Sequence, residues 1–268
     1  AGGGRSERLL PEIAASLDSL GLTFQVERSE SIEHARQVAS TAAAAGRVVA
    51  SVGGDGMAGA VAGGVAEHGG TLALIPGGRG NDFARALEIP SEVERACAVI
   101  ARGKTRKIDL GVAGGTPFCC IASAGFDSRA NELANSAKVI RGNLVYLYAA
   151  LRALATWKPV KFELELDGKP LTYTGYTVAI ANTSYYGGGM MVAPDAEPDD
   201  GLLEVVMIGE ASKRRFLTNF RHVFRGTHVK LVPAVHVERA REVVIKNASP
   251  LDVYADGDKI VSTPTTVR

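Results

Sequence analysis

Two stretches constrain what this chain can become. In the first, Val48-Val49-Ala50-Ser51-Val52 runs into Gly53-Gly54-Asp55-Gly56-Met57-Ala58-Gly59. In the second, Leu72-Ala73-Leu74-Ile75 runs into Pro76-Gly77-Gly78-Arg79-Gly80-Asn81-Asp82. Each is an apolar strand that ends in glycines and continues into a helix. Glycines leave backbone N–H groups uncovered, so a polyphosphate can approach closely, and the helix that follows offers its positive N-terminus. One such turn is often only a tight connection. Two turns with the same grammar, the second with Asn81-Asp82 at a helix start, are a more specific signal.

The elements around these loops alternate. Residues 9–20 carry apolar positions at helical spacing, residues 23–26 read as a short strand, and Ser31 is placed to cap a helix with Ile32, Ala35, Val38, Ala39 and Ala42 on one face. A strand at 47–52, a small-residue helix at 58–68 and a strand at 72–75 follow, and residues 91–94 form a capping box ahead of another helix. This alternation predicts a parallel, three-layer α/β nucleotide-binding domain over residues 1–105, with ligands at the carboxyl ends of its strands.

From residue 106 to 268 the pattern changes to short strands at 105–112, 118–122, 160–166, 171–182, 202–208, 228–237, 242–246, 253–255 and 259–261. Helical segments at 128–157 and 211–225 interrupt them. The expectation is a β-rich sandwich domain, with the extreme C-terminus free to return to the first domain and the active cleft between the two. At 268 residues and 46% hydrophobic composition the chain can bury two modest cores. Thirty basic against 29 acidic residues give no bulk field that would call for a nucleic-acid partner. Cys97, Cys119 and Cys120 make neither a disulfide framework nor a metal spacing, which fits a reducing cytosol. The apolar run 144–157 contains Arg152 and is too short to span a bilayer. No charged or apolar leader opens the chain.

The paired loops resemble those of the diacylglycerol kinase catalytic-domain family, which includes bacterial lipid kinases, sphingosine kinases and ceramide kinases. Further motifs extend the resemblance along nearly the whole chain: Lys107-Ile108-Asp109-Leu110-Gly111, Ala124-Gly125-Phe126-Asp127, Tyr186-Gly187-Gly188-Gly189-Met190, Asp200-Gly201-Leu202-Leu203-Glu204 and Tyr254-Ala255-Asp256-Gly257-Asp258. In the family a glycine-rich turn like Gly2-Gly3-Gly4 follows a first strand, so the resemblance implies a strand upstream of Ala1.

The resemblance implies an ATP- and Mg²⁺-dependent kinase acting on a membrane-lipid hydroxyl, with diacylglycerol as the acceptor. Such an enzyme would be cytoplasmic and would meet the inner face of the membrane only transiently; a homodimer stays open. It places ATP phosphates on Gly53, Gly54, Asp55, Gly56, Met57, Ala58 and Gly59 and on Gly78, Arg79, Asn81 and Asp82, with Ser29 where the family often carries a nucleotide-contacting Thr. Asp55 would act through Mg²⁺ or its waters, since two anions repel, or would simply cap a helix. Asp258 takes the role of proton acceptor with Asp256 as its partner, although Asp-Gly is also the commonest hairpin signal. A structural Mg²⁺ is implied at the Asp200 side chain and the Glu197 and Leu202 carbonyls.

Two departures stand out, because Met57 and Arg79 occupy positions where the family carries Thr. Met donates nothing to phosphate, whereas Arg can supply a charge-assisted bond. An NAD kinase, which also uses a Gly-Gly-Asp-Gly loop, is the nearest enzymatic alternative, and a binding protein without turnover is the non-enzymatic one. The helix at 211–225 carries Phe216, Leu217, Phe220, Val223 and Phe224 on one face and five cations elsewhere. It suits either covering a sheet or meeting anionic headgroups.

Overall fold

The computed structural model describes residues 4–126, 128, 130, 148, 152, 153, 156–247 and 249–268. The chain divides into two compact units, Ala1–Lys107 and Ile108–Arg268. In the first, α1 (Arg5–Ser19) buries Ile13 and Leu17. α2 (Ile32–Ala44) is capped by Ser31, whose hydroxyl accepts the His34 N–H at 3.0 Å, and it buries Ala35, Ala39 and Ala43. Strand β1 (Val49–Gly53) leads through Gly54 into α3 (Asp55–Ala66), and β2 (Leu72–Pro76) leads into the short α4 (Asp82–Ala86). The last helix is α5 (Val93–Ala101).

β1 and β2 pair in parallel, with Val49 opposite Leu72 and Gly53 opposite Pro76. Alternation along the strands sends side chains to two faces. Val52 and Ile75 pack with Ile13 and Leu17 of α1 and Val93 and Cys97 of α5. Val49 and Leu72 pack with Ala35, Ala39 and Ala43 of α2 and Val61 and Val65 of α3. The result is the expected three-layer unit, with helices on both faces of a parallel pair.

Three local expectations fail here. Residues 23–26 form no ladder, because an extended segment becomes a strand only where a neighbour supplies partners; Gln25 instead accepts from Arg47 Nη1 at 3.1 Å. The capping box at 91–94 is not made, since the N-cap of α5 is Glu92 and no side chain caps it. The helix expected from residue 58 starts at Asp55, so most of the first glycine loop is helix.

The second unit contains β3 (Gly111–Ala113), β4 (Thr116–Phe118), β5 (Ile121–Gly125), β6 (Val160–Leu166), β7 (Lys169–Ala181), β8 (Tyr185–Tyr186), β9 (Met190–Met191) and β10 (Leu203–Gly209). After these come α6 (Lys213–Asn219), a 3₁₀ turn (Phe220–Arg225), α7 (His228–Leu231), β11 (Val235–Ala240), β12 (Val243–Ile245), β13 (Asp252–Ala255), β14 (Asp258–Ser262) and β15 (Thr265–Val267). The main ladder runs β14-β13-β5-β7-β6-β12-β15-β3-β4, and β10 with β11 branches from β7. β7 makes the fold possible: residues 169–175 pair with β6, and residues 177–181 lie between β5 and β10. Its alternating inward residues meet those of the neighbouring strands in one core of Phe162, Val178, Ile180, Val205, Val243, Ile245, Val253 and Val267. This is the β-rich sandwich that the strand spacing predicts.

The expected strand at 228–237 begins instead as α7, whose His228 is buried and shares a hydrogen bond with the Val192 carbonyl at 3.1 Å. Of the strand at 105–112 only its end is realised, as β3. β15 belongs to this unit, laid between β12 and β3, where the sequence left room for a return to the first. Most of the helix at 128–157 and Asp127 lie outside the described residues; Ser128, Ala130, Tyr148, Arg152, Ala153 and Thr156 are helical. No helix among the described residues is long and apolar enough to cross a membrane.

Candidate functional site

The two glycine loops are built against each other. A Cβ added to Gly78 would sit 2.3 Å from Gly54 Cα, so only glycine allows the backbones to touch there. The Gly77 N–H donates to the Gly53 carbonyl at 2.8 Å, and the Gly78 N–H to Asn81 Oδ1 at 2.9 Å. Asn81 holds a left-handed conformation (φ 52°), which its short amide tolerates, and stands at the N-cap position of α4 with its amide turned back to Gly78 and no side-chain cap bond. Asp55 Oδ1 accepts the Phe83 N–H at 3.0 Å, so a carboxylate from the first loop caps the helix after the second. Burial pushes the Asp55 carboxyl above its ordinary value, against the pull of the N–H groups around it. Asp82 is buried and ion-paired with Arg85 at 2.5 Å.

This geometry changes which donors are open. The N–H groups of Gly77 and Gly78 are spent inside the protein, and Asp55 takes that of Phe83. The first turn of α3, where Gly56 and Met57 follow the uncapped Gly54, carries the remaining backbone donors, while the Ala58 N–H, expected at the phosphates, is spent on the Gly54 carbonyl at 2.9 Å. A hollow lined by Ser51, Gly53, Gly54, Asp55 and Asn81 lies beside it, and the buried Ser51 hydroxyl has no partner among the described residues. Arg79 is exposed on the second loop. Met57 packs against the Ala39 and Val61 cluster between α2 and α3, with its Cβ directly over Gly53. Ser29 is exposed and lies in the segment before Ser31. Arg5, which nothing in the sequence singled out beyond its glycine-rich turn, donates to the Gly78 carbonyl at 3.2 Å.

In the second unit Asp256 and Gly257 both take positive φ, 50° and 95°, and make the two-residue turn between β13 and β14. The two carboxylates therefore do not share one side of an extended segment. Asp256 accepts backbone N–H groups from Cys119 at 2.6 Å, Cys120 at 2.9 Å and Ile121 at 3.3 Å, and so fixes the entry to β5. Asp258 opens β14 opposite Ala255 and is exposed as a residue, yet enough protein surrounds its carboxyl to hold it above the ordinary value.

The acidic loop is organised by a cation absent from the sequence reading. Arg239 of β11 reaches Glu204 Oε1 at 3.3 Å, Asp200 Oδ2 at 3.5 Å and the Asp195 carbonyl at 2.7 Å. Glu204 is buried, its Oε2 has no partner among the described residues, and desolvation raises its carboxyl above the ordinary value while Arg239 opposes the shift. Asp200 Oδ1 accepts the Leu202 N–H at 2.9 Å, and Glu197 is exposed. Asp109 ties the loop to the start of the unit: its Oδ2 accepts the Gly201 N–H at 2.8 Å and its N–H donates to the Pro198 carbonyl. Among the described residues no three His, Cys, Asp or Glu side chains converge as a ligand set. The oxygens left in this loop for a hard cation are Asp200 Oδ2, 3.5 Å from Arg239, and Glu204 Oε2. No local pattern could have revealed Arg239, which comes from a strand paired with β10.

Residues 1–113 match the diacylglycerol kinase catalytic domain, and residues 120–268 match the YegS C-terminal NAD kinase beta sandwich-like domain. A protein of Mycobacterium tuberculosis named diacylglycerol kinase is 36% identical over 203 residues, covering 73% of this chain. The chain spans 65% of that relative's length. A Bacillus subtilis protein of the same name is 28% identical over 215 residues, covering 79% of this chain and 71% of its own. A crystal structure from Bacillus anthracis matches with a TM-score of 0.81 at 22% identity, covering 100% of this chain and 90% of its own, which shows the shared fold. With its two parts matched in this order, the chain belongs to the diacylglycerol kinase catalytic-domain family.

Proposed function

We propose that this chain is an ATP-dependent lipid kinase that phosphorylates a membrane-lipid hydroxyl, converting diacylglycerol to phosphatidic acid at the inner face of the membrane. The observation that carries the reading is the mutual packing of the two glycine loops, locked by Asp55 on the Phe83 N–H and leaving the first turn of α3 open. That arrangement suits phosphate oxygens, which need donors and positive helix ends more than covalent chemistry. Diacylglycerol as the acceptor draws its support from the name that the relatives carry.

In this reading Gly54, Gly56 and Met57 present backbone to the ATP phosphates, Ala58 and Gly59 carry the helix on behind them, and Gly53, Gly78, Asn81 and Asp82 hold the loops in register. Arg79, exposed on the second loop, is the side chain available for a phosphate oxygen. Asp258 takes the acceptor's proton; its raised carboxyl is a better base near neutrality than an ordinary aspartate. Asp256 does not share that proton but keeps the turn and the β5 entry in place. Mg²⁺, when bound, neutralises phosphate charge during transfer. Asp55, with its desolvated carboxyl, fits that ion, and Asp200 with the Glu197 and Leu202 carbonyls fits a structural one. Ser29, exposed before α2, takes the nucleotide contact that the resemblance implies.

The test is a thin-layer assay with radiolabelled ATP in which diacylglycerol vesicles and NAD are offered side by side, with and without Mg²⁺. Labelled phosphatidic acid formed only with Mg²⁺ is the expected result, and labelled NADP alone overturns it. A second reading, nucleotide binding without turnover, draws on Met57, whose side chain is committed to packing and leaves no hydroxyl in the cradle. ATP binding without transfer to either acceptor selects it.

A further inference from the structure

We propose that residues 213–231, the run from α6 through the 3₁₀ turn into α7, are a docking surface for an anionic lipid bilayer. The segment is anchored on one side. Phe216 packs with Phe126 and Tyr176 at ring separations of 5.2 and 5.5 Å. The left-handed Gly226 (φ 65°) leaves no room for a Cβ against Met191 and Pro194, and His228 is held by the Val192 carbonyl. From that anchor the aromatic contacts run outward, Phe216 to Phe220 at 6.3 Å and Phe220 to Phe224 at 5.7 Å.

Away from these contacts the segment presents Leu217, Phe224 and Leu231, which are 47%, 50% and 59% exposed. They come one from each piece of the run, α6, the 3₁₀ turn and α7, and are its most exposed apolar side chains. Arg214, Arg215, Arg221, Arg225 and Lys230 are also exposed, and none forms an ion pair with a described residue. No Asp or Glu occurs between residues 211 and 231, in a chain whose total charge is close to balanced. Apolar side chains projecting from a field of unpaired cations match the acyl boundary and the headgroups of an anionic bilayer. The choice of a bilayer as occupant rests on the lipid-kinase reading; the exposure and the charge do not.

The experiment is co-sedimentation of the full chain, without ATP, with vesicles of phosphatidylcholine alone and with vesicles partly replaced by phosphatidylglycerol. The wild type is expected to partition at least about tenfold more onto the anionic vesicles, and salt should weaken that preference. Leu217→Ser/Phe224→Ser/Leu231→Ser and, separately, Arg221→Glu/Arg225→Glu should each lose about tenfold or more with unchanged melting temperature. If the serine variant is unstable, the charge-reversed one decides. Either folded variant partitioning like the wild type overturns the proposal, as does equal binding to both vesicle types. A dimer that the serine substitutions dissociate, with no vesicle binding, assigns the surface to a second copy instead. Because partition is read without turnover, a protein that docks but transfers no phosphate refutes the kinase reading and leaves the surface standing. One that phosphorylates diacylglycerol while its variants dock normally refutes only the surface.

Discussion

Asp55 Oδ1 accepts the Phe83 N–H at 3.0 Å, and this bond joins the helix start of the first glycine loop to that of the second. The same carboxyl is desolvated. One residue thus has a structural duty that needs only an acceptor and a proposed catalytic duty that needs a charge.

Two substitutions separate those duties. Asp55→Asn keeps an acceptor for Phe83, so thermal unfolding should show stability unchanged or raised at neutral pH while phosphoryl transfer falls by about 10- to 100-fold. A raised folded pKa means that the group's contribution is present below the unfolded pKa and is lost as pH rises through the folded one. The asparagine variant should therefore gain on the wild type as pH rises. Asp55→Ala should also lose about 1 kcal/mol, the usual worth of a cap. An asparagine variant with full activity would remove Asp55 from the chemistry.

Asp258 and Asp256 should part company in the same way. Asp258→Ala is expected to stay folded and lose about 10² to 10⁴ in kcat while ATP binding survives in calorimetry. Asp256→Ala strands the N–H groups of Cys119, Cys120 and Ile121, and a denaturant titration should show a loss of about 1 to 3 kcal/mol. Retention of more than about half of the wild-type kcat by Asp258→Ala would exclude it as the base.

Burial raises the Asp258 carboxyl, so the acid limb of kcat/KM should lie above the ordinary aspartate range, near 3.9, with activity lost as pH falls through it. A rate profile of the wild type should show that limb, and the residual activity of Asp258→Asn should lack it. A limb that persists in the asparagine variant belongs to another group.

Arg239→Ala leaves the buried Glu204 without its cation and should cost roughly 1 to 3 kcal/mol at neutral pH. The Glu204 carboxyl is raised already, and removing Arg239 raises it further. The penalty should fade as pH falls and Glu204 takes up a proton. Chemical denaturation of both proteins at acid and neutral pH checks the sign; an equal loss at both would mean that Arg239 acts through packing.

Arg79 and Met57 test the divergent loops. Arg79→Ala should weaken ATP binding by about 1.5 to 3 kcal/mol and AMP binding by less, measured calorimetrically. Met57→Thr offers a hydroxyl but gives up packing against the α2 and α3 cluster, so any gain in ATP affinity, about 0.5 to 1.5 kcal/mol, should come with lower thermal stability. Unchanged ATP affinity in Arg79→Ala would leave that side chain as loop decoration.

The parts legible in the sequence were those fixed by local chemistry. Glycines at a strand end, Ser31 ahead of a helix and the Asp256-Gly257 turn each follow from backbone preferences over a few residues. What the sequence left hidden depends on distant partners. Nothing near Asp256 says that its carboxylate meets Cys119, 137 positions away, and nothing near Glu204 points to Arg239. The strand expected at 228–237 failed for the same reason, since the Val192 carbonyl holding His228 lies 36 positions upstream.

The ladder that places β3 beside β15 and β5 beside β13 also governs the order of events during synthesis. The earliest strands of the second unit wait on the ribosome for the last ones to emerge, whereas every element of the first unit has been made by Lys107. A nascent chain arrested before Asp252 would expose unpaired edges on β5 and β12, the surfaces a chaperone or a neighbouring chain would seize. Vectorial translation thus makes the second unit the slow, vulnerable half of this protein.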